Sequence, residues 1–223
     1  MAFLTSETVT SLLRFHGEYL GYKIVKRILD IVISLIVLII SSPLILFIAI
    51  IIKIYDSGPI FFKQYRVGRL GREFLLYKFR SMYKDARERF PELYKYSYTE
   101  EDMRNLTIKR EDDPRVTRVG KWLRRTSFDE LPNFINVLKG DMHLVGPRPD
   151  IWENIRHYPK DHLRKLSIKP GITCIAQING RGRLSFFQTN IYDLEYMDHR
   201  SLTLDFKILY KTVLVIIKRD GAF

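Results

Sequence analysis

The sequence predicts an α+β protein that is mostly helical, held at a membrane and carrying one small β-hairpin, on three observations. An uncharged apolar run, Ile31 to Ile52, is interrupted at its centre by Ser41-Ser42-Pro43. At 1.5 Å per helical residue it is long enough to enter or cross a bilayer, and no other stretch of the sequence qualifies. Two short strand-like runs, Ile60 to Phe62 and Phe74 to Arg80, flank a bend at Gly68 to Gly71. Several later segments carry the short-period apolar pattern of surface helices.

Residues 1–22 carry Phe3, Leu4, Val9, Leu12, Leu13 and Leu20 at helical spacing and predict an amphipathic lead-in helix. Residues 23–55 form the membrane segment. Pro43 removes a backbone donor and clashes with the preceding turn, so a helix there breaks or kinks. Lys23, Lys26 and Arg27 precede the apolar run and Lys53, Lys63, Arg66 and Arg69 follow it. Positive flanks favour the cytoplasmic side. A re-entrant helix-break-helix turning at Ser42 and Pro43 keeps both flanks there, and a single spanning helix kinked at Pro43 is the alternative. The run is too long for a signal core and no small-residue cleavage site follows it.

Residues 56–223 are read as one cytosolic domain with interfacial helices. Residues 84–113 alternate in charge around Tyr94, Tyr96 and Tyr98 and read as a solvated insertion. Residues 116–125 predict a short basic helix, and Leu131 to Leu138 a second one ending at Gly140. Near the C-terminus, Phe206, Leu209, Tyr210, Val213, Ile216 and Ile217 share a helical face, which suits either a membrane interface or the core.

A chain of 223 residues, 46% hydrophobic, can build one core beyond the membrane segment. Its formal charge of +12 points to an anionic membrane surface, phosphorylated substrates or nucleic acid. The basic residues lack aromatic interleaving and any nucleic-acid motif, so nucleic acid is not expected as a partner. The one cysteine, Cys174, excludes an internal disulfide and any Cys-rich zinc site.

The chemistry concentrates around Arg124-Arg125-Thr126-Ser127-Phe128-Asp129-Glu130-Leu131-Pro132. Ser127 and Glu130 match a capping box, but that register leaves Pro132 beyond the first turn. With Asp129 as N-cap, Pro132 falls inside the first turn and two carboxylates sit at a helix start. Phosphate also favours such a place, and bringing it to a carboxylate requires cations. Arg124 and Arg125 supply two, and Mg2+ suits oxygen ligands where no His or Cys cluster exists. Gly146-Pro147-Arg148-Pro149 presents Arg148 on a backbone fixed by two prolines, as a phosphate holder. Lys169-Pro170-Gly171 and Asn179-Gly180-Arg181 add cations on constrained turns. P-loop, G-x-G-x-x-G and H-E-x-x-H motifs are absent from the sequence.

These residues resemble the bacterial sugar transferases that are monotopic polyprenyl-phosphate phosphoglycosyl transferases. The resemblance runs in order through Lys26-Arg27-x-x-Asp30, Ser42-Pro43, Lys78-Phe79-Arg80-Ser81-Met82 and Leu123 to Pro132. It continues through Asn136 to Met142, Val145 to Pro149, Lys169 to Thr173, Ala176-Gln177-x-Asn179-Gly180-Arg181 and Leu204 to Leu209. It implies a re-entrant hairpin with a catalytic domain on the cytoplasmic face of the bacterial inner membrane, against anionic inner-leaflet lipid. It implies Mg2+ as cofactor, held by Asp129 and Glu130, with a UDP-sugar as donor and undecaprenyl phosphate as acceptor. Asp129 is then the nucleophile that forms a phosphosugar-aspartyl intermediate and releases UMP, and Glu130 assists it. Lys78, Arg80, Arg124 and Arg148 match cations that hold phosphate or uridine. Phe128, Asn133, His143 and Cys174 depart from the family's usual leucine, glutamine, serine and glycine, so sugar preference could differ. The chain resembles the small, minimal form. A membrane-tethered scaffold that keeps the fold without catalysis is the alternative, and retention of Asp129, Glu130 and Arg148 argues against it.

Overall fold

The computed structural model describes residues 20–94 and 113–218. The lead-in over 1–22 lies outside the described residues except at its end, as does most of the insertion over 84–113. Along the chain the elements are α1 (Leu20–Tyr55), β1 (Phe61–Val67), β2 (Glu73–Phe79), α2 (Ala86–Arg89), α3 (Arg118–Thr126) and α4 (Asn133–Lys139). They continue with β3 (His143–Val145), α5 (Trp152–Ile155), β4 (Gly171–Thr173), α6 (Ile175–Asn179), α7 (Phe186–His199) and α8 (Leu202–Lys218). Helices with two small sheets make the class α+β, as expected.

α1 is one continuous helix of 36 residues with Pro43 inside it, where the sequence predicts an interruption. The hydrogen bond that Pro43 withholds is replaced locally. Pro43 lacks the N–H that would bond the Ile39 carbonyl four residues back. The Ser42 hydroxyl donates to that carbonyl at 2.8 Å instead, and Ser41 Oγ donates to Val37 O at 2.6 Å.

Both ends of α1 are attached to the polar body. At its start Lys26 Nζ lies 2.6 Å from Asp205 Oδ2 of α8, and both groups are buried. Arg27 donates to the carbonyls of Val137 and Leu138 at the end of α4, at 2.6 and 2.9 Å. Asp30 pairs with His143 Nδ1 at 2.5 Å and accepts the Leu144 N–H at 3.0 Å. Toward its other end Ile48 and Ile52 are buried with Phe79 and Leu123. Between the two attachments Ile39 and Ile40 are 70% and 75% exposed, too apolar to be left in water.

β1 and β2 pair antiparallel, from Phe61 opposite Phe79 to Val67 opposite Glu73, around a turn through Gly68 and Gly71. β3 and β4 pair in parallel, His143 with Gly171 and Val145 with Thr173. The main core joins Phe74 and Leu76 of β2, Val137 of α4, Leu144 and Val145 of β3, Tyr196 of α7 and Ile208 of α8. α8 buries Asp205 and Ile208 and leaves Phe206, Tyr210, Val213 and Ile217 exposed. Of the two uses open to that apolar face, its greater part is thus turned away from the core.

Candidate active site

The site is assembled on the turn between α3 and α4. α3 starts at Thr117, whose hydroxyl accepts the Gly120 N–H at 2.8 Å, and it presses against the backbone that continues β2. A Cβ at Gly120 would lie 1.9 Å from the Ser81 carbonyl oxygen, so only glycine permits this approach. At this contact Arg124 Nε donates to Ser81 Oγ at 3.0 Å. α3 ends at Ser127 in a left-handed conformation, φ 60°, that any residue with a Cβ adopts at a cost of about 1–2 kcal/mol.

That reversal throws Phe128–Glu130 into a single 3-10 turn ahead of α4. The expected register is corrected here. Asp129 lies within the 3-10 turn, Pro132 takes the position before Asn133, and α4 begins there without a side-chain cap. Ser127, in its αL conformation, makes no side-chain capping bond to this turn either. The two carboxylates still precede a helix start, carried by tighter winding than an α-helix allows.

Lys78 of β2 reaches this turn, with Nζ 2.6 Å from Glu130 Oε1 and both side chains about one-fifth exposed. Burial lowers the pKa of Arg124, opposed by the nearby Asp129 and Asp113 carboxylates, and the guanidinium stays charged. Lys78, Glu130 and Arg148 line one cleft together with Arg66, Asn133 and Gln177, enclosing about 370 Å3 of space continuous with solvent. Arg124 and Asp129 are not among the residues that line it, and the Asp129 carboxylate acts on the Arg124 charge from nearby. Arg80 is placed elsewhere. It is buried, donates to the Asp56 carbonyl and lies 3.6 Å from Asp56 Oδ2, so its charge is spent fixing the loop that follows α1. Ser42 and Pro43 lie in the exposed middle of α1, remote in role from the cleft.

Arg148 is held by residues that sequence reasoning passed over. Its N–H donates to Asp193 Oδ1 at 3.1 Å. Asp193 and Asp150 both bind Lys165 Nζ, at 2.9 and 2.7 Å, and Tyr158 donates to Asp150 at 2.5 Å. Burial opposes charge on Lys165, but the two carboxylates outweigh it and raise its pKa. Burial raises the pKa of Asp193, against the pull of Lys165. Removing one member of so buried a set costs about 3–5 kcal/mol. The same turn is tied to the hairpin, since Arg66 Nη1 donates to Pro149 O at 3.3 Å and the Val67 N–H to Asp150 O at 2.8 Å. No spacing in the sequence foretells partners that lie tens of residues apart. The one legible sign for Arg66 is the strand's two-residue period, which turns Gln64 and Arg66 to the same side.

Asn133 and Gln177 line the cleft with amide oxygens that are shielded from solvent and accept no hydrogen bond among the described residues. Among the described residues no three His, Cys, Asp or Glu side chains converge as a metal cage. Asp129 and Glu130 offer oxygen donors on adjacent residues, a set that suits an ion keeping waters and substrate phosphate as its other ligands.

Comparison with known proteins adds to this geometry. A family model described as bacterial sugar transferase matches residues 21–219. The chain is 44% identical over 203 residues to the galactosyl transferase CpsE of Streptococcus agalactiae, covering 91% of this chain and 44% of that protein. It is 39% identical over 225 residues to an undecaprenyl-phosphate galactose phosphotransferase of Salmonella typhimurium, covering 100% of this chain and 47% of that one. It is 38% identical over 198 residues to EpsL of Bacillus subtilis, named as an uncharacterized sugar transferase, covering 89% and 90%. The chain thus spans less than half the length of the first two and most of the third.

Proposed function

We propose, from the premise that the chain belongs to the bacterial sugar transferase family, that it moves a sugar-1-phosphate from a UDP-sugar to undecaprenyl phosphate and releases UMP. The observation that carries this reading is the acidic turn Asp129-Glu130 bonded to Lys78, with Lys78 and Glu130 sharing a cleft with Arg148 and Arg66. Carboxylates alone repel a pyrophosphate, and cations alone bind it without reacting. Together they can position it for displacement.

An Asp129 carboxylate oxygen attacks the β-phosphorus of the donor. The bond from that phosphorus to the bridging oxygen breaks, and the electron pair leaves with UMP. A phosphate oxygen of undecaprenyl phosphate then attacks the same phosphorus and expels the Asp129 carboxylate, giving the lipid-linked sugar diphosphate. Two displacements through a covalent carrier replace one between two anions. Lys78 and Arg148 hold the phosphates, Arg66 keeps the Arg148 turn in place, and Arg124 restrains Asp129. The amide groups of Asn133 and Gln177 are the neutral partners in the cleft suited to uncharged hydroxyls of the donor. Mg2+ held by Asp129 and Glu130 would neutralise part of the phosphate charge when bound.

For the membrane arrangement we favour an α1 that enters and leaves on one side of the membrane, as a helix that stays continuous through Ser42 and Pro43. A single crossing needs the two flanks of the apolar run on opposite sides of about 30 Å of hydrocarbon. In α1, Lys26 to Asp30 and Ile48 to Ile52 pack on the same polar body, which supports a monotopic attachment with only the middle immersed. Positive flanks then place the 56–223 domain on the cytoplasmic face of the inner membrane, where UDP-sugar and lipid carrier meet. The reaction would be the first membrane step of polysaccharide or glycoconjugate synthesis.

The test is UMP release from a panel of UDP-sugars by the full chain in nanodiscs with magnesium, with and without undecaprenyl phosphate. The expected outcome is turnover with one sugar, reduced about a thousandfold or more in Asp129→Asn. Full turnover in that variant would remove Asp129 as the nucleophile.

A further inference from the structure

Arg27 and Lys169 converge at the end of α4 remote from the dyad. Arg27 Nη2 and Lys169 Nζ lie 3.5 and 3.6 Å from the point a Cβ would occupy on Gly140, so the two cations are no more than about 7 Å apart. Gly140, at φ 87°, closes the helix with no side chain between them. Arg27 spends one hydrogen on each of the Val137 and Leu138 carbonyls. Lys169 Nζ donates no hydrogen bond among the described residues, and Pro170 fixes the backbone beyond it. Burial, together with Arg27 and Arg69, pulls the Lys169 pKa down, against a weaker pull from Asp30 and Asp141. Asp30 is already committed to His143, and Asp141 lies 3.3 Å from Asn136 Nδ2. The place therefore carries more positive than negative charge, and neither carboxylate is bonded to Lys169. Arg27 lies on α1 beside the exposed Ile24 and Ile28, at the edge of the apolar surface read above as the membrane attachment.

We propose that Arg27 and Lys169 form a site for the phosphate of a membrane lipid, separate from the dyad by the length of α4, about 10 Å. A phosphate taking a charge-assisted hydrogen bond of about 2.8 Å from each cation spans their separation. A lipid headgroup arrives at this level of the surface without leaving the bilayer. The site rests on the membrane attachment proposed above and is independent of the transfer chemistry.

The test needs no turnover. The full chain is equilibrated in vesicles of phosphatidylglycerol and phosphatidylethanolamine, passed through detergent and scored by native mass spectrometry for retained phospholipid. The wild type is expected to keep one phospholipid. Lys169→Gln is expected to retain it about tenfold less, while Lys169→Arg restores it. Arg27 is left unchanged because it also caps α4. Equal retention in wild type and Lys169→Gln would overturn the site and leave both cations as helix-end caps. Loss in Lys169→Arg as well as Lys169→Gln would overturn it too, as a structural effect. Tight uptake of inorganic phosphate with no lipid retained would overturn its assignment to a membrane lipid. Wild-type UMP release alongside lost lipid retention in Lys169→Gln would separate this site from the catalytic reading.

Discussion

Cys174 lines the cleft beside Glu130 and Arg148, yet its thiol is chemically quiet. It is 2% exposed, and burial, with Asp193 adding to it, pushes its pKa up to about 12. At pH 8 only about one thiol in ten thousand is then the reactive thiolate. Maleimide is expected to leave the native chain unmodified and to add once per chain after denaturation, read by intact mass. Rapid native labelling would show that the cleft opens to expose it. The acidic dyad makes a complementary point at the same scale. Sequence spacing identifies Asp129 and Glu130 beside Arg124, whereas the pairing of Glu130 with Lys78 across 52 positions is visible only in three dimensions.

At the scale of an element, α1 shows how a proline is carried through a helix in an apolar setting. The carbonyl of Ile39 loses its partner to Pro43 and regains one from Ser42. In hydrocarbon no water can take that place. Ser42→Ala is therefore expected to destabilise the detergent-solubilised chain by about 1 kcal/mol, measured by denaturant unfolding. Ser42→Ala combined with Pro43→Ala is expected to recover that loss, since replacing the proline restores the missing N–H. Failure of the double variant to recover would mean that the serine acts through some other contact. The Ser-Pro pair was legible in the sequence, whereas the bond by which Ser42 gives the Ile39 carbonyl the donor that Pro43 withholds is visible only in the structure.

At the scale of the whole molecule, the chain reads as a polar body that grips a membrane helix at both ends. This arrangement predicts that both flanks of the apolar run are accessible from one side. In Lys23→Cys and Ser57→Cys, with Cys174 silent, an impermeant maleimide is expected to label both positions in inverted vesicles and neither in right-side-out ones. Labelling from opposite sides would establish a crossing helix. The exposed stripe of Phe206, Tyr210, Val213 and Ile217 on α8 lies beyond Asp205, which is bonded to Lys26 at the start of α1. The apolar surfaces of α1 and α8 are thereby tied through one buried ion pair.

The local signals proved sufficient for what depends on neighbours in the chain. The apolar run, the hairpin around Gly68 and the two short helices on either side of the acidic pair follow from residue type and spacing, whereas the 3-10 winding that carries Asp129 and Glu130 does not. Those properties act over a few residues, so the sequence by itself determines them. Only the tertiary structure decided which cations face the cleft. It set Lys78 on Glu130, committed Arg80 to Asp56, and buried Lys165 between Asp150 and Asp193 beneath the Arg148 turn. The physical reason is that a charge chooses its partner by distance and burial, and both are fixed by the packing of elements remote in sequence.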